Sequence, residues 1–344
     1  MLKISSITRI LKEMVKIIPV ASGKGGVGKS ALSANLSILL AQSGKKTVLV
    51  DLDLGGANLH TLLGLKNNHT GLGNFIYRQF TTLEPLLQDT GIENLYFIAG
   101  DCLFPGTANL GFFIKKRLIK ELHLLDADYV ILDLGAGAAF NTLDFFLITY
   151  NSLLVTTPEI TSILNAYSFL KSAAYRFFTC QFKAKSEERM AIQRYIENST
   201  EGIESSFEGL VKSVCAEFPE TGERAVRELS KYRPQVILNQ GISVQDLEMA
   251  RRLRSLTFSK MGISIDFVGF IPKDEALPLS VAMRKPLVLT SPQSAFARQL
   301  KAAVERIQQH SYSYNNAMFE YEELPMNSTG GDADLRLLSE EFIQ

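Results

Sequence analysis

Tryptophan is missing from this chain, and cysteine occurs only three times and histidine four times in 344 residues. The cysteines Cys102, Cys180 and Cys215 stand far apart and include no C-x-x-C pair. A disulfide framework or a cysteine-based metal site is therefore not expected, and a reducing, cytoplasmic compartment is. The histidines His60, His69, His123 and His310 are scattered and form no catalytic constellation. An excess of charge is absent too: 36 Lys and Arg against 36 Asp and Glu leave a formal net charge of +0. The total thus argues against a strongly basic nucleic-acid binder, leaving only a local patch such as Arg251, Arg252, Arg254 and Lys260. No run of about 18 apolar residues is present to span a bilayer. The opening MLKISSITRILKEMVK has neither the apolar core nor the cleavage site of a secretory signal.

What is present is globular material, 46% hydrophobic and 21% charged, enough for a large α/β domain. Apolar runs at Ile17–Ala21, Thr47–Leu52, Leu95–Ala99, Tyr129–Leu132, Leu153–Thr157, Gln235–Asn239, Ile265–Ile271 and Leu287–Leu289 alternate with helical patterns such as Ala31–Gln42 and Ser162–Phe178. Continuous rather than alternating hydrophobicity marks strands buried on both faces. The expected fold is α/β and doubly wound: a mostly parallel sheet of about eight strands with helices on both faces.

Three segments depart from this pattern. Residues 1–16 form a basic amphipathic extension, with Ile4, Ile7, Leu11 and Met14 at helical spacing. Residues 179–233 read as a helical insertion broken by a turn at Phe218–Gly222. Residues 311–344 form an acidic tail expected to be flexible, with Glu320, Glu322, Glu323, Asp332, Asp334, Glu340 and Glu341 against a single Arg336. The main domain is expected to span residues 17–310.

The chemistry concentrates in Gly23–Ser30, GKGGVGKS, between the first apolar run and a good helix former. Gly23, Gly28, Lys29 and Ser30 fill the spacing G-x-x-x-x-G-K-[ST]. Glycines let backbone N–H groups turn toward an anion, and a helix N-terminus adds partial positive charge. Gly23, Gly25, Gly26, Val27, Gly28, Lys29, Ser30 and Ala31 are therefore the expected phosphate cradle. Lys29 is expected to reach the β and γ phosphates and Ser30 to hold Mg²⁺. The second run ends in Asp51-Leu-Asp53, a pair expected to split between opposite faces and so to take different roles. The fourth run ends in Asp133, followed by Gly135–Gly137, which fits a Walker-B carboxylate that helps hold Mg²⁺.

Lys24, a second lysine inside the loop, narrows the reading. The loop, with VLVDLDLGGANLH, VILDLGAG, LLVTTPEITSILNAYSFLK, VILNQ and GFIPKD in that order, resembles the deviant Walker-A ATPases of the MinD/ParA family, and within it the MinD/FlhG-like group. The resemblance runs from Ile17 to His310. It implies a P-loop NTPase fold, ATP and Mg²⁺ as cofactors, hydrolysis of ATP to ADP and phosphate, and a homodimer when ATP is bound. It also implies that Lys24 reaches the partner's phosphates, that Asp53 orients the attacking water with Asn58 beside it, and that Asp51 and Asp133 stand near Mg²⁺. Asn239, Pro272 and Asp274 resemble the residues that hold adenine, and Glu159 resembles a residue near the nucleotide or the dimer interface.

The implied function is a dimerisation switch that places or counts a cellular structure, division or flagellar machinery, with slow hydrolysis stimulated by a protein activator or cargo adaptor. A ParA-like DNA-partition ATPase is the alternative, and a metabolic ATP-dependent ligase or kinase a weaker one. The acidic tail opposes an anionic membrane surface, and nucleic acid is not favoured at balanced charge. The expected location is cytoplasmic, with a peripheral place at the inner membrane face as the variant.

Overall fold

A single eight-stranded sheet organises the chain, in the order β3-β4-β2-β5-β1-β6-β7-β8. A computed structural model describes residues 15–66, 70–100, 110–199 and 206–309. Residues 1–14 of the expected extension, the tail 311–344, and His69, Cys102 and His310 lie outside the described residues. The strands are β1 (Lys16–Ser22), β2 (Thr47–Leu52), β3 (Gln88–Asp89), β4 (Leu95–Ile98), β5 (Tyr129–Ala136), β6 (Leu153–Thr156), β7 (Gln235–Gly241) and β8 (Asp266–Pro272). All pair in parallel except β3, which runs antiparallel at one edge. The carboxyl ends of seven strands therefore share one edge. Chain order reverses direction around β1, flanked by β5 and β6, which is where ligands bind in open α/β sheets.

Seven of the eight apolar runs are strands. The eighth, Leu287–Leu289, is helical instead, lying within one turn over Leu287–Thr290. Leu287 and Val288 are buried, and the Val288 N–H donates to Asn35 Oδ1 at 3.0 Å. A short buried run has the same composition in either element, so the pattern alone does not separate them. The missing strand is replaced by polar Gln88–Asp89, which carries no apolar signal.

Alternation along the strands splits the core into two layers. Ile18 and Val20 of β1 and Leu49 of β2 face a layer built by α1 (Lys29–Gln42), α2 (Leu59–Leu62), α12 (Leu287–Thr290) and α13 (Ala295–Gln309). Ile17, Val48 and Val50 face the other, built by α3 (Leu72–Ile76), α4 (Phe112–Leu124), α5 (Phe140–Phe146), α6 (Ile160–Cys180), α7 (Glu187–Ser199), α8 (Phe207–Glu217), α9 (Pro219–Leu229) and α10 (Leu247–Met261). Short α11 (Ala276–Ala282) lies against the first layer. In α6, Ile163, Ala166, Tyr167, Leu170, Ala173, Ala174 and Phe177 recur at helical spacing and are buried, which makes it the spine of the second layer. Between Cys180 and Arg233 the described residues contain helices and no strand. The expected turn at Phe218–Gly222 is only Phe218: Pro219 opens α9 at its first position, and Gly222 lies inside that helix. A side chain at Gly222 would stand 2.9 Å from Cys215 Cα, so that glycine serves close helix packing.

A charged cluster lies within the second layer. Asp144 of α5 accepts hydrogen bonds from Lys115 Nζ of α4 and, at 2.8 Å, from Arg176 Nε of α6, with all three side chains nearly inaccessible. The Arg176 guanidinium also stands 5.5 Å from the Phe140 ring centroid. Removing the shared anion would leave two buried cations facing each other. Asp144→Ala is therefore expected to cost about 3–5 kcal/mol, read as a lower urea midpoint. Replacing all three residues with apolar side chains of similar size is expected to restore most of the loss. A midpoint unchanged by Asp144→Ala would show that water reaches the cluster.

Candidate functional site

At the carboxyl end of β1 the chain must turn at once into α1, and the turn is built on glycine. Gly26 and Gly28 take positive φ values of 82° and 86°. Gly23 and Gly28 are also fixed by contact. A Cβ at Gly23 would lie 2.3 Å from the Asn165 carbonyl oxygen of α6, and one at Gly28 would lie 2.5 Å from Asn239 Nδ2. Gly25 and Gly26, in contrast, face open space. No side chain caps α1 and no acid sits in its first turn, so its first N–H groups remain available to an anion. Val27 is buried and anchors the loop, while Ser30 and Ala31 begin the helix half-exposed.

The neighbouring strands bring carboxylates to this loop. Asp51 of β2 is in register with Asp133 of β5, and Asp133 with Val20 of β1. Both carboxylates are buried. Lys29 Nζ, also buried, stands 2.9 Å from Asp133 Oδ1 and 3.4 Å from Ser30 Oγ. Ser33 Oγ donates to the same Asp133 oxygen at 2.8 Å, while Asp133 Oδ2 is buried with no hydrogen-bond partner. Asp51 accepts from the N–H groups of Asp53 at 3.1 Å and Leu59 at 3.2 Å. Burial, and then the nearby Asp133 charge, push the Asp51 carboxyl up to about 7 despite those bonds.

Two acids thus share one lysine in a desolvated corner. The orphaned Asp133 oxygen and the raised Asp51 carboxyl both suit an added cation. Among the described residues no three His, Cys, Asp or Glu gather to hold a metal by themselves. Ser30, Asp51 and Asp133 therefore fit Mg²⁺, which keeps several waters and takes phosphate oxygens as ligands.

Asp53 does not pair with Asp51 in the way expected. Residues two apart on a strand share a face rather than oppose each other. The two are separated because β2 ends at Leu52: Asp51 is buried in the sheet, and Asp53 is half-buried in the following loop. There its Oδ1 would stand 3.4 Å from a Cβ built on Gly135 of β5, so a glycine leaves the space above that carboxylate open. Asn58 is exposed at the start of α2 and makes no capping bond.

The residues associated with adenine have structural ties. Asn239 is buried, and its Nδ2 donates to the Val27 carbonyl at 2.8 Å. Pro272 ends β8. Asp274 accepts from Ala276 N at 3.0 Å and from Phe296 N at 3.4 Å, holding the starts of α11 and α13. Lys24 points to the rim, where its Nζ lies 2.8 Å from Glu159 Oε2 and 3.2 Å from Thr161 Oγ1. The Lys24 ammonium holds the Glu159 carboxyl below its usual range.

Three contributors escaped the sequence reading. Ser33 lies one helical turn beyond Ser30, so periodicity on α1 would have found it. Thr161 and Gln240 carry no such signal. Gln240 Nε2 donates to the Gly26 carbonyl at 3.2 Å from a residue with φ of 60°.

Comparison with known proteins agrees with this geometry. A ParA family model, described as a NUBPL iron-transfer P-loop NTPase, matches residues 13–174. The chain is 34% identical over 153 residues to the septum site-determining protein MinD of Helicobacter pylori, covering 44% of this chain and 56% of that one. It is also 34% identical over 169 residues to the flagellum site-determining protein YlxH of the same organism, covering 46% and 54%. The chain thus spans about half the length of these curated relatives. A solved septum site-determining MinD from Pyrococcus horikoshii, complexed with Mg-ADP, superposes with a TM-score of 0.58 at 22% identity, covering 86% of this chain and 97% of that one. With its glycine loop, two lysines and strand-borne aspartates in place, the chain has the P-loop NTPase fold, and it resembles the ParA/MinD family over its first half.

Proposed function

We propose that this chain is an ATP-binding and ATP-hydrolysing dimerisation switch that places or counts a cellular structure, either division or flagellar machinery. The observation that carries the reading is an uncapped helix N-terminus behind an open glycine loop, facing Lys29 and two buried strand-end carboxylates in register. The site-determining relatives support the biological direction. Residues 17–310 form the ATPase unit in this reading, 179–233 its helical insertion. The switch works in the cytoplasm or at the inner membrane face.

The loop N–H groups from Gly23 to Ala31 bind the phosphates, and Lys29 exchanges part of its pairing with Asp133 for a phosphate oxygen. Ser30, Asp51 and Asp133 hold Mg²⁺, which when bound draws charge from the transferred phosphoryl group. Asp53, over Gly135, orients the attacking water, and exposed Asn58 supports it from the same loop. Asn239, Pro272 and Asp274 line the base side. Lys24, at the rim, neutralises the phosphates of a second protomer, so the site is complete only in the dimer. Hydrolysis by an incompletely positioned site is slow, which leaves room for a protein activator or cargo adaptor to stimulate it.

The two lysines separate the steps. Lys29→Ala is expected to weaken ATP affinity about 10- to 100-fold in calorimetry, the loss of a charge-assisted hydrogen bond. Lys24→Ala is expected to keep near-normal affinity and fail to dimerise. Equal loss of binding in both variants would contradict the trans role of Lys24.

Asp53→Ala is expected to bind Mg·ATP without hydrolysing it. Light scattering should then give twice the monomer mass with ATP and the monomer mass with ADP. A mass independent of nucleotide would overturn the switch.

A further inference from the structure

We infer that Gln240 is a positioning residue of the phosphate loop, aimed at it by a β-bulge near the end of β7. The inference rests on the proposed nucleotide site and adds a residue to its phosphate side. Leu238 of β7 pairs with Phe270 of β8, and Gly241 pairs with Pro272. Two residues of β7, Asn239 and Gln240, therefore stand opposite one residue of β8, Ile271, which makes a bulge. Val236 and Leu238 face the second layer and Ile237 the first. On a regular strand Asn239 would follow Ile237 and Gln240 would follow Leu238, to opposite faces. The bulge breaks that alternation. Both side chains serve neighbouring carbonyls of the loop: Asn239 Nδ2 donates to Val27 at 2.8 Å and Gln240 Nε2 to Gly26 at 3.2 Å.

Gln240 reaches Gly26 from a backbone with φ of 60°. This is the left-handed region, where a Cβ is disfavoured and glycine is the ordinary occupant. The conformation is pinned on both sides. Gly241 O accepts from Lys273 N at 2.8 Å, and a Cβ on Gly241 would meet the Phe270 ring at 2.2 Å. Beyond it, Asp246 Oδ2 accepts from Ile242 N at 2.7 Å and from Ser243 N at 3.0 Å. Glycine at position 240 would make the same turn with less strain. What the glutamine contributes is its side-chain amide, and strain of this kind persists where the surrounding structure holds it for use.

The effect of that amide follows from the planar peptide. In a trans peptide the C=O and the N–H point in opposite directions. Gln240 draws the Gly26 carbonyl toward β7, so the Val27 N–H turns away from β7. Asn239 does the same to the Val27 carbonyl and the Gly28 N–H. Two consecutive N–H groups of the proposed phosphate cradle are thereby oriented before an anion arrives, which lowers the ordering cost of binding. A side chain at Gly25 or Gly26 would meet open space, so packing does little to fix this part of the loop and the amide of Gln240 restrains it.

The test uses the full chain and Mg·ADP, which needs no hydrolysis. Calorimetry compares the unchanged protein with Gln240→Gly and Gln240→Asn. Glycine and asparagine both suit a positive φ, but glycine has no amide and the asparagine amide is one methylene short. The expected result is a Kd about three- to tenfold higher in both variants, the loss of one neutral hydrogen bond. The urea midpoint of Gln240→Gly should equal or exceed that of the unchanged protein, because the backbone strain is relieved. Unchanged affinity overturns the inference. A lower midpoint in Gln240→Gly overturns it as well, since Gln240 would then hold the fold rather than the loop.

A second probe separates phosphate from base. Inorganic tripolyphosphate with Mg²⁺, competing against a fluorescent ADP analogue, should lose affinity in Gln240→Gly by the same factor as ADP. Weakened ADP with unchanged tripolyphosphate would place Gln240 on the base side and overturn the inference. A protein that binds neither ligand before substitution would overturn both the inference and the nucleotide site on which it rests. The expected losses in a protein that forms no ATP-dependent dimer would uphold the inference and overturn the switch alone.

Discussion

The buried Lys29–Asp133 pair is the constraint around which the site is assembled. Two carboxylates, Asp51 and Asp133, are placed side by side because their strands are adjacent, parallel and in register. One ammonium stands 2.9 Å from Asp133, and water is largely excluded from all three groups. The corner therefore carries more acid than it can neutralise. The imbalance appears as the carboxyl of Asp51 pushed up to about 7 and as the unpartnered Oδ2 of Asp133. Buried polar groups left in this state cost stability, and the fold retains them where a cation and an anion together would relieve both. The strain is local chemistry set by strand register, so a change in β2–β5 pairing would dissolve it.

Around this corner the loop is held from three directions. The Asn239 and Gln240 amides occupy the carbonyls of Val27 and Gly26, which leaves the N–H groups of the loop pointing elsewhere. The carbonyl of Asn165 presses on Gly23 from α6. Val27 is buried below. Pre-organisation of this kind lowers the ordering cost when an anion binds. It also explains why only some of the glycines are sterically required: Gly23 and Gly28 meet atoms of the protein, whereas Gly25 and Gly26 border the open side.

Much of this was legible before the fold was seen, for physical reasons that differ by residue. The run Thr47–Leu52 matches β2 end for end because a strand buried on both faces is uniformly apolar. Gly23–Ser30 was legible because its chemistry is local: a turn, a helix start and a lysine. Leu287–Leu289 misled because a buried helical turn and a buried strand look alike over three residues. Asp51 and Asp53, two positions apart, would share a face of a continuing strand, and the end of β2 at Leu52 is what divides them. The contacts of Gln240 and Thr161 were invisible for a third reason. They join residues 214 and 137 positions apart, and no local pattern encodes which distant elements meet. Asn239 shows a mixed case: it lies within β7 rather than after that strand, and its bond to the Val27 carbonyl depends on tertiary packing.

The same long-range contacts indicate how the site communicates with the rest of the molecule. Helix α6 touches the loop at Gly23, Lys24 at the rim and, through Arg176, the anion of the buried cluster on α5. Helix α5 begins four residues after Ala136, the last residue of β5, the strand that carries Asp133. The segment after Asp133 is therefore joined through Asp144 to α6, and through α6 to Lys24. The links at Asp144 and Gly23 are a buried ion pair and a close packing contact, whereas the one at Lys24 is an exposed pair. Helices α8, α9 and α10 pack on the same face as α6.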